Sequence, residues 1–559
     1  MHLRTKIIDD HPYLYAVDNV WNSGSPKVAF QTYLGRADLL QGAQARPLIK
    51  TFHFGAVAVL LQLARQLQIV EIVNQVVGSS RSPSVGDYLL LAALNRAVKP
   101  RSKRAFAEWY EATSLKRLHP IPLKQLTSQR FWDAMDQISP EACQRIFQGV
   151  ALQAVQRFEI EDEVLAFDTT NFFTFIASDN LRPQLAQRGH SKAKRHDLRQ
   201  IGLALAVTRR DMLPLFHHVY AGNQTDAMIF DALFPQLLRE LAELGQDGAT
   251  WVYDKGNVSA ANQLQVERQG LAYVTSVPPS FYPELLAIPL EEMAEVDTAS
   301  YPELAGQRLH SQRRRRWSRE LQLVMSYSPE LARGQLQGVL QHLEKAQRRL
   351  EALQSALARR HAKSRGRKPT VASVQRQVER ILSAQHLSKL LSTEVEVLEG
   401  GLVRLRYERN QEYLQHLQEH LFGRRVWLTS HLDWAPDQVL WPAHQQAAAE
   451  ACFRQLHDPQ HVAWQPMYHW TDQKIRVHGL YCLIALLLVQ LLRLLARRAG
   501  DSRSVDRILE DLDEVQECLV VPVLQQPDQR PHLEQNLTVT NPAQRKLLTL
   551  AGASSMAAG

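Results

Sequence analysis

Cysteine is scarce in this chain of 559 residues: Cys143, Cys452, Cys482 and Cys518 are scattered, and no Cys-x-x-Cys spacing occurs. That excludes a zinc ribbon and a disulfide scaffold, and it fits a reducing compartment, so a cytoplasmic location is expected. The first twenty residues, MHLRTKIIDDHPYLYAVDNV, lack the apolar stretch of a signal peptide, so export is not expected. Net charge is low for the length at +8, while hydrophobic residues at 45% and charged residues at 22% sit near the soluble average, which excludes a disordered or fibrous chain. Long hydrophobic runs are nearly missing too. The exception, GLYCLIALLLVQLLRLLA at 479–496, is at the short limit for crossing a bilayer and contains Gln490 and Arg493. A buried helix is the expectation there, with no membrane partner.

What charge there is lies unevenly. Residues 301–370 hold 16 Lys and Arg against 5 Asp and Glu, including the run Arg313, Arg314, Arg315 and Arg316. Such a block requires either solvent or a polyanion, and a nucleic-acid backbone is the commonest polyanion. The length predicts roughly three or four domains. From about 51 to 160 apolar residues recur at helical spacing, with Ser84 and Thr127 or Ser128 placed as caps, so a helical DNA-binding domain is expected after an N-terminal extension at 1–50. Between its helices, KPRSKRAFAEWY sets Arg101, Lys103 and Arg104 beside Trp109 and Tyr110, and Arg130 follows in QRFWDAMDQI; these cations are candidate DNA contacts.

From 161 to 300 the period changes. VLAF, IGLALAV, LPLFHHV, WVYD and LAYVTSVP are short apolar runs bounded by turn residues, read as strands, with the helical pattern AMIFDALFPQLLRELAEL between the third and fourth. Three strands close in sequence, followed by alternation, predict a mixed sheet in an α/β domain. Residues 301–420 read as a basic helical insertion: a heptad runs through Val339, Leu343, Ala346, Leu350, Leu353 and Leu357, a second seam starts at Val371, and AKSRGRKP breaks them into a coiled-coil hairpin free to serve a dimer or DNA. Residues 421–500 return to the sheet domain through RVWLTS, and 501–559 read as a helical tail.

Asp168 ends VLAFD and Asp254 ends WVYD, each where an open α/β sheet presents its ligand-binding rim. Glu450, Arg454 and His457 follow at intervals of four and three, hence on one helical face. DTTNFF at 168–173, GHSKAKRHDL at 189–198, AGNQTD at 221–226, YDKGN at 253–257 and EACFRQL at 450–456 resemble, in order and spacing, the blocks of bacterial insertion-sequence transposases of the DDE class, in the group with a helical insertion between the second Asp and the Glu.

The resemblance implies a ribonuclease H-like domain with a mixed five-stranded sheet and helices. It implies that Asp168, Asp254 and Glu450 are a catalytic, metal-binding triad for two Mg²⁺ ions, with Mn²⁺ as a substitute. It adds Lys192, Arg195, Arg454 and His457 to the DNA contacts. Its implied partners are double-stranded DNA, both terminal inverted repeats and target, and a second copy of the chain in a homodimer. The chain departs from the group's pattern at Ala443, Gln446 and His457, where Tyr, Arg and Lys are expected. A transposase-derived DNA-binding protein without catalysis is therefore the alternative reading.

Overall fold

The computed structural model describes residues 1–22, 25–42, 44–162, 164–177, 179–189, 195–316, 319–359, 369–398, 401–444, 447–465, 467–526 and 529–557. The chain divides into two compact units, residues 1–250 with 445–559 and residues 251–444.

The first unit opens with strands where only an extension was expected. β1 (His2–Ile8), β2 (His11–Asn22) and β3 (Ser25–Arg36) form an antiparallel meander. Leu14 and Ala16 alternate with half-buried Tyr13 and Tyr15, and with Phe30 and Leu34 they bury one face against Leu48, Phe52, Leu519 and Val521. β4 (Leu48–His53) leads into the expected helices, among them Val85–Val98, Ser128–Asp136 and Pro140–Phe158. Their starts follow from local chemistry: Ser84 accepts the Asp87 N–H while Asp87 answers to the Ser84 N–H, and Thr127 accepts the Arg130 N–H. β5 (Val164–Thr174), β6 (Arg199–Thr208) and β7 (Pro214–Ala221) then run antiparallel in sequence order.

In the second unit β8 (Thr250–Tyr253) and β9 (Tyr273–Val277) pair in parallel. Beyond β9 the sheet continues through antiparallel strands: β10 (Ala294–Glu295), β11 (Arg308–Arg316), β12 (Arg319–Tyr327) and a late strand at Arg424–Thr429, with β12 pairing to the late strand and the late strand to β9. The mixed sheet is present. The expected limit of five strands is not, since this unit alone lines up six.

The basic block is also corrected. Arg313 to Arg316 lie on a strand instead of a helix; a run without apolar residues carries no period that could have shown it. The helices Pro329–Ala358 and Val371–Ile381 do form, with Ser328 and Thr370 as caps. Leu343, Ala346, Leu350, Leu357, Val374 and Val378 are buried with Leu391, Leu405, Leu414, Leu417 and Phe422 of the same unit, from a two-stranded β13 (Leu391–Leu398) and β14 (Leu402–Arg409) and the segment after it. The heptad seam is therefore filled by its own chain, not left for a partner.

With the late strand numbered β15, the chain returns to the first unit. Its apolar helix Asp472–Arg498 is long enough to cross a membrane, but nearly all of its apolar stretch is buried among the other helices. At roughly 1.5–3 kcal/mol for each fully buried Leu, Ile or Val, it is the core of this unit. The expected helical tail instead carries β16 (Gln516–Val521) and β17 (Glu534–Leu537); β16 lies between β17 and β4, so the end of the chain closes on its beginning.

Candidate functional site

Asp168 sits mid-strand on β5, opposite Leu205 of β6. The residues before it are buried and it is half-buried, so the strand changes from core to site at this position. Its Oδ1 accepts the Thr169 N–H at 2.7 Å. A tyrosine that sequence reasoning passed over lies beside it. Gly202 of β6 faces Tyr220 of β7, and a Cβ at 202 would stand 2.1 Å from the Tyr220 ring, so the ring crosses β6 where a side chain is missing. The Tyr220 hydroxyl comes next to Thr169 and near the carboxylates of Asp226 and Asp168; burial, reinforced by those charges, raises its pKa and keeps it protonated.

Glu450 occupies the first turn of the helix Ala447–His457 and is exposed. The helix packs on β5 and β6 through Ala448, Ala449, Cys452, Phe453 and Leu456. Two contacts hold it there: Cys452 Sγ donates to the carbonyl of Met212, in the turn between β6 and β7, at 3.2 Å, and the His457 ring stacks on Phe172 of β5 with centroids 4.4 Å apart. Phe172 stacks in turn on Trp464 at 4.7 Å, and Trp464 covers Gly479 of the apolar helix, where a Cβ would be 2.5 Å from its ring. His457 keeps an exposed edge, and the partial burial of its ring against Phe172 lowers its pKa below the usual value, which disfavours the cationic form that would stand in for lysine.

Of the five blocks picked out in sequence, all but YDKGN lie in this unit. Gly189 approaches so closely that a Cβ would lie 2.2 Å from the Gly222 carbonyl, and one at Gly222 would lie 2.0 Å from the Gln200 carbonyl. Gln200 Nε2 donates to the Gly222 carbonyl at 2.8 Å. The segment before Gly189 is held by Asp472, whose carboxylate accepts the N–H groups of Gln184 and Leu185 at 3.0 Å.

Asp254 belongs to the second unit. It follows β8 in extended conformation, and its Oδ1 accepts the Ser276 hydroxyl at 2.7 Å while Ser276 Oγ accepts the Lys255 N–H at 3.1 Å. Carboxylate oxygens suit Mg²⁺ better than Zn²⁺. Among the described residues, however, no group of three His, Cys, Asp or Glu side chains is arranged to hold a metal, so the donor chemistry of the triad fits Mg²⁺ but no metal position is defined.

The basic candidates separate by what already holds them. Arg101, Arg104, Arg130 and Arg454 are exposed. Lys103 is turned inward, its Nζ donating to the Tyr481 hydroxyl at 3.1 Å and lying 4.3 Å from that ring; burial, with Arg96 nearby, pulls its pKa to about 7. Its neighbours Trp109 and Tyr110 are buried core. Arg195 pairs with Asp197 at 2.8 Å. Lys192 and Gln446 lie outside the described residues, as does the side chain of Ala443. On β11, Arg313 donates to the Leu432 carbonyl at 2.8 Å, Arg314 pairs with Glu284 at 3.1 Å and Arg316 lies over Tyr282 at 5.0 Å; Arg315 has no such partner among the described residues.

No family model matches the chain, and no curated protein does. Two solved structures are similar at a low level. One is a piggyBac transposase synaptic complex with hairpin DNA, 10% identical over 83% of this chain and 80% of that one, with a TM-score of 0.39. The other is a Mos1 transposase paired-end complex with the left transposon end, 12% identical over 34% of this chain and 62% of that one, with a TM-score of 0.15. Likeness this distant carries no argument about activity, which has to come from the residues.

Proposed function

We propose that the chain is a DDE transposase of the insertion-sequence kind. In this reading it binds the terminal inverted repeats of its element, hydrolyses a strand at each end and joins the 3′-hydroxyls to target DNA, with two copies bridging the two ends. The observation that carries the reading is the convergence, in the first unit, of sequence blocks far apart in the chain: Asp168 on β5, Gly189 against Gly222, Glu450 on a helix laid along β5, and Asp472 pinning the loop before Gly189.

Asp168, Asp254 and Glu450 would hold Mg²⁺, or Mn²⁺ in its place. Two such ions supply an activated water or 3′-hydroxyl and stabilise the leaving oxygen. The chain's own contribution is positional: the Thr169 N–H orients the Asp168 carboxylate, Ser276 orients that of Asp254, and exposed Arg454, one turn after Glu450, is free to meet a phosphate.

The stacking of His457 on Phe172, at a position where the group's pattern has lysine, favours a second reading, a DNA-binding protein that no longer cuts. Incubation with DNA carrying the ends of the coding region's flanks, with Mg²⁺, separates the two. Nicked ends joined to a target plasmid are expected; binding without any cleavage would leave the second reading.

A further inference from the structure

The amino-terminal meander has a second face that the proposed catalysis does not use. With Leu14 and Ala16 turned into the core, period-two alternation places Tyr13 and Tyr15 on the opposite face of β2. The register sets Lys6 beside Tyr13 and Arg4 beside Tyr15 from β1, and Tyr33 beside Tyr15 and Arg36 beside Tyr13 from β3. The rings form a row: Tyr33 is 5.5 Å from Tyr15 and 6.0 Å from Tyr13, both tilted by about half a right angle. Lys6 Nζ lies 4.6 Å from the Tyr15 ring and donates to Gln31 at 3.3 Å. Tyr33 is 48% exposed, in a protein that buries most of its large aromatics.

We propose that this face binds an unpaired strand of DNA. Three tyrosines in a row are not needed for the core, which lies on the other side of the sheet. Arg4 and Lys6 have no carboxylate partner among the described residues, so a polyanion is favoured over a protein surface. Tyrosine faces stack on base faces, and in a duplex those are already taken by neighbouring base pairs; in a single strand they are open. Rings spaced along the sheet with cations interleaved thus suit bases stacked on β2 and β3 while phosphates run past β1. The inference does not rest on the catalytic reading, because none of these residues belongs to the triad or its supports.

The test uses the full chain and a fluorescein-labelled oligothymidylate of about 15 nucleotides, read by anisotropy, with a hairpin duplex as comparison. Tyr33→Ala is expected to weaken single-strand binding about fivefold or more, Tyr33→Phe to keep it, and Lys6→Ala to reduce the log–log salt slope by about 0.7. Crosslinking with a 5-iododeoxyuridine-substituted strand should map to the peptide holding Tyr13, Tyr15 or Tyr33. Unchanged affinity in Tyr33→Ala with crosslinks only elsewhere would overturn the proposal. So would an equal loss on duplex, which marks a plain phosphate contact, or a change only in assembly mass, which marks a protein interface. Asp168→Asn should leave this binding intact, so the failure of either reading is visible without the other.

Discussion

The surroundings of β6 in the first unit and strand β11 in the second both carry residues expected to meet DNA, yet they are built in opposite ways. Around β6, glycines let backbone touch backbone: Gly189 on Gly222, Gly222 on Gln200, and Tyr220 across Gly202. Along β11, no strand among the described residues pairs with 311–316 on their outer side, and Arg313, Arg314 and Arg316 are tied by a carbonyl, a surface carboxylate and an aromatic ring. In the first region position is fixed by steric exclusion, so one added methyl group displaces a functional group. In the second it is set by long side chains in solvent, so a lost arginine removes a charge and little else.

The largest effect should therefore follow from the smallest change. Gly222→Ala places a Cβ against a backbone oxygen that cannot swing away, and we expect a loss of about 3 kcal/mol in the first unit together with loss of cleavage. Urea unfolding followed by tryptophan fluorescence checks it; a shift under about 0.5 kcal/mol would mean that the two regions do not differ in kind.

Next in size is Arg315→Ala. It should leave stability within about 0.5 kcal/mol and lower the salt slope of duplex binding by about 0.9. Arg314→Ala, which breaks an exposed pair with Glu284, should cost at most about 1 kcal/mol. Replacing all four arginines should weaken binding across sequences alike. An unchanged slope would show that this edge strand is charged only to keep other strands from pairing with it.

The smallest effect is expected at His457. Because burial holds its folded pKa below the unfolded value, its stability contribution is fully present above the unfolded pKa of about 6.5 and is lost as pH falls through the lowered folded value. Strand joining by wild type and His457→Gln should accordingly follow the same profile between pH 7 and 8. A fall in wild type alone over that range would restore a cationic role.

How much of this was legible depended on whether a segment had an apolar period. The strands containing Phe167, Leu205, Phe216, Val252 and Val274 were, because burial on both faces left unbroken apolar runs, and so were the caps Ser84 and Thr127, whose bonds are local. β11 was not, since an exposed basic strand has no pattern. The meander was missed although Tyr13, Leu14, Tyr15 and Ala16 alternate, because only one of its faces is aliphatic. The heptad from Leu343 to Leu357 correctly announced a covered face but could not say that β14 and Phe422 cover it. In the site, the spacing of Glu450, Arg454 and His457 gave a shared face; the turning inward of Lys103 and the crossing of Tyr220 over Gly202 depend on contacts hundreds or tens of residues away.

The central proposal is that Asp168, Asp254 and Glu450 are each required for DNA cleavage, and isosteric removal of charge tests it most directly. Asp168→Asn, Asp254→Asn and Glu450→Gln keep the volume of each side chain and take away the charge that a divalent cation needs. Strand cleavage with Mg²⁺ and end binding are measured on the same DNA. Each variant should bind as wild type does and lose cleavage by a factor of about a thousand or more, the range in which removal of a single catalytic group falls. Cleavage near the wild-type rate by any one of the three would contradict the account.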